Sequence, residues 1–108
     1  MADVKIMVIY PYPTDVEAFE RTYVEDHVPL AATKFKGMTK FVASKVVGTP
    51  DGKKPPFYRI AELHFPSLAA LKESAGSPGA QEAIAHAVKI SSGGPPIALI
   101  AEEETTVF

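Results

Sequence analysis

Apolar positions along this chain switch between two periods, and each switch marks an element. Val4 to Tyr10 ("VKIMVIY") is β-branched or apolar at nearly every position, with only Lys5 interrupting, which predicts a strand covered on both faces. After "PYPT" the period becomes helical. Val16, Phe19, Tyr23 and His27 share one stripe, and Thr14 followed three residues later by Glu17 is a capping-box pattern that opens the helix. Pro29 has no N–H to offer the Glu25 carbonyl and biases Val28 away from helical geometry, so a kink or an end is expected around Asp26 to Val28.

Met38 to Val47 reads as a second strand and "GTPDGKKPP" as a hairpin loop. Phe57 to Phe65 is a third strand, with Tyr58, Ile60, Glu62 and His64 on one face and Arg59, Ala61, Leu63 and Phe65 on the other. Ser67 is placed to cap "LAALKES". "GSPG" then breaks the helical pattern, and Ser77 with Pro78 restarts it, with Ile84, Ala87 and Val88 as the apolar stripe. The segment "GSPGAQEA" reads as a break and restart, with a mobile gate as the functional alternative. Ile97 to Ala101 is a fourth strand.

The order βαββαβ predicts an α+β protomer of ferredoxin-like topology, a four-stranded antiparallel sheet with both helical segments on one face, as a single domain over 1–108. Helices cover only that face. Yet Met7 and Ile9 oppose Val4, Ile6 and Val8, and Val42 and Val46 oppose Phe41 and Val47, so the second face is apolar as well. A second copy packed sheet to sheet, a closed homodimer, is the expected cover. Lys5 and Glu62 fall on that face and are expected to pair across it.

Composition narrows the function classes. The 108 residues carry a formal charge of −2 with scattered lysines, so no basic field for nucleic acid or anionic membrane is expected. The absence of cysteine removes disulfides, thiolate metal sites and a Cys nucleophile. No apolar run approaches the roughly 20 residues of a membrane span, and the N-terminus lacks a cleavage signal, which gives a cytoplasmic reading. No phosphate-binding loop is present.

What remains is a phenol and an imidazole one helical turn apart, Tyr23 and His27. With Tyr10 coming off the end of the first strand, they are the candidates for cofactor-free proton transfer. The bland alternative is a stripe tyrosine and a helix-capping histidine. The negative end of the helix dipole and Asp26 are expected to favour the imidazolium at His27. Tyr12, Phe19, Phe41 and Leu63 complete the expected substrate-binding set with Tyr10. Tyr12, in its proline loop, reads as a lid or as turn packing. His64 is expected to be a strand or interface residue and His86 a solvated one, and the three histidines lack metal-ligand spacing, so neither a metal nor a cofactor is expected.

Together "FERTYVEDHVPLA", "FKGMTKF", "FYRIAELHFPSLAAL" and "SPGAQEAIAHA" resemble the EthD-like family, named for ethyl tert-butyl ether degradation, within the dimeric α+β barrel superfamily. The resemblance spans roughly residues 4 to 102, and its most specific element is Tyr23, His27, Pro29 and Leu30. It implies a ferredoxin-like protomer, a dimer through facing sheets and a small-molecule pocket between helices and sheet. Relatives in the superfamily include lactone isomerases, polyketide cyclases and cofactor-free monooxygenases. By resemblance, His27 is the acid/base of an isomerase, cyclase or dehydratase, with Tyr23 beside it. The alternative is a non-catalytic small-molecule or haem-binding dimeric module, with His27 or His64 as axial ligand, accessory to a degradation pathway.

Overall fold

In the computed structural model, which describes residues 3–108, β1 (Val4–Pro11), β2 (Lys40–Lys45), β3 (Phe57–Phe65) and β4 (Ile97–Glu102) form one sheet in the order β2-β3-β1-β4. All three pairings are antiparallel, as the βαββαβ order requires. Residues 1–2 of the expected domain lie outside the described residues. The second strand is shorter than its apolar run. Gly37, at φ 83°, turns the chain, and Thr39 is held by its N–H and hydroxyl on the His64 carbonyl before pairing begins at Lys40.

α1 (Val16–Thr22), α2 (Val28–Lys34), α3 (Leu68–Ala75) and α4 (Pro78–Ile90) cover one face. Ser67 and Ser77 cap α3 and α4 as expected, each hydroxyl accepting the N–H three residues on at 3.1 Å. The first cap differs by one position. Asp15, not Thr14, accepts the Ala18 N–H, while the Thr14 N–H donates to the Ser92 hydroxyl and ties the β1–α1 loop to the loop before β4.

The chain does not end its helix at Asp26 to Val28. Tyr23–His27 is a π-turn, closed by the Val28 N–H on the Tyr23 carbonyl, and α2 runs on from it. Pro29 explains the detour: a regular turn would bring its ring against the Glu25 carbonyl, and widening the pitch moves that carbonyl aside.

Register assigns the faces. Val4, Ile6 and Val8 stand opposite Phe65, Leu63 and Ala61 under the helices, whereas Lys5, Met7 and Ile9 stand opposite His64, Glu62 and Ile60 on the open face. Lys5 Nζ lies 2.6 Å from Glu62 Oε1 there, the pairing expected from alternation. The register shifts between Tyr10 and Pro11, and beyond it Tyr58 packs against Phe19 and Tyr12, although simple alternation placed it with Ile60. On α4 the buried stripe is Ala80, Ala83 and Ala87, whose small side chains let the helix approach α2 and the π-turn. Ile84 and Val88, expected in that stripe, are 42% and 54% exposed and stand at its rim.

Candidate active site

Where β1 ends beneath the π-turn, buried aromatic rings pack edge to face and in parallel. Tyr10 meets Phe19 and Tyr23 edge-on at 5.4 Å each, and Phe19 stacks on Tyr23 at 5.6 Å. Tyr23 in turn lies nearly parallel to His27, with ring centres 5.8 Å apart. Each such pair adds about 0.5–1.5 kcal/mol beyond area burial, enough to fix the rings' positions.

Within this packing, His27 is held at both nitrogens. The Tyr10 hydroxyl is 3.1 Å from Nε2, and His86 Nδ1 is 2.9 Å from Nδ1, with the two imidazoles stacked 5.2 Å apart. The π-turn sets this up by carrying His27 toward both β1 and α4 at once. Buried to 6% exposure, the His27 ring is pushed down to a pKa of about 4, first by burial and then by the neighbouring His86. It is therefore neutral at neutral pH. The expected imidazolium is overturned, because His27 is not at a helix end and the desolvation of a π-turn interior outweighs any helix dipole.

The sequence placed the Tyr23 phenol within reach of His27 as its partner in proton transfer. Tyr23 instead supplies a ring, with the Arg59 guanidinium 5.0 Å over it, and its buried hydroxyl has no hydrogen-bond partner. Burial raises its pKa to about 12 and raises that of Tyr10 further, so both phenols are protonated. Tyr10 is the hydroxyl that His27 uses. His86, read as solvated, is half-buried and completes the chain Tyr10–His27–His86. A phenol, a neutral imidazole and a second imidazole that reaches solvent form a line along which one proton can pass from the interior to the surface. The signal for His86 was present in the sequence: it stands three residues after the buried Ala83 on a helix whose small face packs inward.

Rings and hydroxyls occupy the space expected as a pocket between Tyr10, Tyr23 and His27. The cavity lies beside them, about 210 Å³ between α4 and the sheet, lined by Ile6, Val8, Phe35, Leu63, Ala87 and Ala98 with Ile84, Val88 and Pro96 at its rim. Val8 and Ala87 also pack on the aromatic cluster, so the cavity abuts the Tyr10 side of the relay. Of the expected substrate-binding residues, Leu63 lines this cavity, and Tyr10 and Phe19 belong to the cluster. Tyr12 packs on Tyr58 under the Lys54 ammonium at the cluster's outer side. Phe41, opposite Leu63 on β2, packs against the main core instead. Gly93 holds the Tyr12 loop close, because a Cβ there would collide with the Tyr12 carbonyl oxygen.

A family model described as the EthD domain matches residues 11–89. A Rhodococcus erythropolis protein, "Uncharacterized 11.0 kDa protein in thcB-thcC intergenic region", is 33% identical over 103 residues, 95% of this chain and 97% of its own length. The crystal structure of an ethyl tert-butyl ether d (ethd) family protein from Bacillus halodurans superposes with a TM-score of 0.86 at 27% identity, over 96% of this chain and 100% of that one. A hydroxynitrile lyase from Passiflora edulis shares the fold at a TM-score of 0.73 and 15% identity, over 97% of this chain and 96% of its own.

Proposed function

Because the chain belongs to the EthD family, we propose that it is a cofactor-free small-molecule enzyme of lyase or isomerase type, with His27 as its general acid and base. The observation that carries this reading is the Tyr10–His27–His86 chain, which connects a buried neutral imidazole to the surface through 3.1 and 2.9 Å contacts. The substrate is a small, mostly apolar molecule with one oxygen function. Its hydrocarbon part occupies the cavity beside Val8 and Ala87, and its oxygen reaches the Tyr10 hydroxyl. His27 takes a proton from the substrate through Tyr10 and passes charge to His86; the reverse path returns it. Tyr23 holds the plane of the His27 ring. Likeness of fold to a hydroxynitrile lyase fits a reading of lyase type.

The protomer acts as a homodimer. Met7, Ile9, Ile60, Ile97 and Leu99 share the open sheet face, and Ile97 and Leu99 are 42% and 51% exposed in the isolated chain. A second sheet laid on that face removes them from water. A haem-binding role through His27 is the weaker reading, since both nitrogens of that ring are already engaged.

Exchange of carbon-bound hydrogen tests the proposal without a known substrate. A panel of small ketones, aldehydes and lactones is incubated with the protein in D₂O, and loss of the proton next to the carbonyl is followed by NMR. Exchange above the buffer rate is expected for members that fit the cavity, and its loss in a folded His27→Gln variant. Exchange that persists at the same rate in that variant removes His27 from the role, and a panel with no exchange removes the proton-transfer reading.

A further inference from the structure

On the opposite face of the sheet, far from the relay in topology, His64 of β3 is 1% exposed and neither of its ring nitrogens has a hydrogen-bond partner among the described residues. A buried imidazole left unsatisfied costs about 1–3 kcal/mol, so its surroundings call for a partner. Its Nε2 points at Glu62 Oε1, 3.6 Å away, and Glu103 joins them so that one donor atom from each of the three residues lies within 4.8 Å of the others. Lys5 sits between the carboxylates, 2.6 Å from Glu62 and 3.4 Å from Glu103, and the hydrogen bond to Glu62 holds its pKa above the ordinary value. Lys40, opposite His64 on β2, is the other charged residue at this register of the open face.

We propose that Glu62, His64 and Glu103 form a binding site for a borderline divalent cation of the zinc or cobalt type. The donor set decides the class: one imidazole nitrogen with two carboxylate oxygens suits Zn²⁺, Co²⁺ or Mn²⁺, whereas Mg²⁺ and Ca²⁺ prefer oxygen alone. Bond lengths of about 2.0–2.2 Å put tetrahedral ligand atoms about 3.4 Å apart. The 3.6 Å pair already meets this, and the wider separations close by a shift of about 1 Å at the flexible ends of Glu62 and Glu103. The two carboxylates accept positive charge here, as the Lys5 ammonium held between them shows. The Lys5 ammonium marks where a cation rests between the carboxylates. The metal takes that position when the lysine stem swings outward, and it gives the lone pair of the His64 Nε2 a partner, which that atom lacks among the described residues.

Cobalt titration reads the site directly. The intact protein is titrated with Co²⁺ and followed by its visible ligand-field bands, with Zn²⁺ added afterwards to displace it. One ion per chain is expected. His64→Gln should weaken binding by more than about tenfold, the scale at which even outer-shell partners register. Lys5→Met should tighten it by about two- to fivefold, because it removes a competing charge on the scale of one partly exposed ion pair. If His64→Gln fails to fold, Glu103→Gln, at the more open end of the cluster, takes its place. The proposal falls if wild type and Lys5→Met both bind no stoichiometric Co²⁺. It also falls if binding survives both ligand substitutions and disappears in His86→Asn, which would assign the ion to the His27–His86 pair.

Discussion

His27 and His86 face each other Nδ1 to Nδ1 at 2.9 Å, and their stacked rings have room for one proton between those two atoms. A proton on each would set two N–H groups head to head in a buried site. The pair is satisfied when one ring donates and the other accepts; burial first, and then the neighbouring His86, hold the buried member in its neutral form.

That displacement makes stability fall in mild acid. The folded His27 has a pKa of about 4 against roughly 6.5 unfolded, so between these values the unfolded chain binds more protons. Stability from this group is fully present above about pH 6.5 and is lost as pH falls toward 4. The loss is expected to be on the order of 2 kcal/mol, short of the full linkage because the His86 side of the pair meets solvent. Denaturant midpoints measured between pH 4 and 7 check this, and His27→Gln should flatten the slope. An unchanged slope in that variant would assign the acid sensitivity to the carboxylates.

Two tyrosines in contact with each other should respond in opposite ways to loss of a hydroxyl. Tyr10→Phe strips His27 Nε2 of its partner and should lower stability by about 1–3 kcal/mol while slowing any exchange catalysis. Tyr23→Phe removes a buried hydroxyl that has no partner, so it should be neutral or slightly stabilising. Thermal melts of the two variants side by side decide the matter; equal losses would mean that the Tyr23 hydroxyl has a partner in solution.

Arg59 supports the same cluster from below. It is 8% exposed, pairs with Glu20 through both Nε and a terminal nitrogen, and lies over the Tyr23 ring. Arg59→Met should destabilise by about 2 kcal/mol, less than a fully buried pair because the Glu20 side chain is 25% exposed. The double change Arg59→Met with Glu20→Leu should recover part of that loss. Additive losses in the double-mutant cycle would show that the pair contributes nothing as a pair.

The open face offers a test of assembly. Leu99→Lys puts a charge into the surface that a second sheet would cover, and it should convert a dimer into monomers in light scattering at micromolar concentration. A dimer that survives the substitution places the contact elsewhere.

The strands, their order and the Lys5–Glu62 pair were legible because alternation in a half-covered sheet leaves few registers open. Val4 to Tyr10 differs, since it is apolar on both faces and was legible from its β-branched run instead. The helical layer was harder to read. Pro29 announced a disturbance, but a proline leads to a break or a wider turn according to what the neighbouring helix offers, and α4 is not visible from Pro29. For the same reason His86 read as solvated. Its own helix has Ile84 and Val88 at the rim and alanines beneath, so hydrophobicity pointed to the wrong stripe, and only the packing of α4 on the π-turn brings His86 to His27. Tyr10 and Tyr23 were both candidates. Which hydroxyl reaches the imidazole depends on ring orientation, which spacing along a chain does not encode.

The π-turn has a meaning in genetic terms. Its Val28 N–H reaches back five residues to Tyr23 where a helix of regular pitch reaches four, so the segment amounts to one inserted codon held within a continuous helix. Deleting one exposed residue such as Val24 would keep the residues on either side in phase, but a regular pitch would return the Pro29 ring to the carbonyl of the preceding turn. The extra residue and the proline that needs it thus form one unit of sequence, and a change at either is felt at the other.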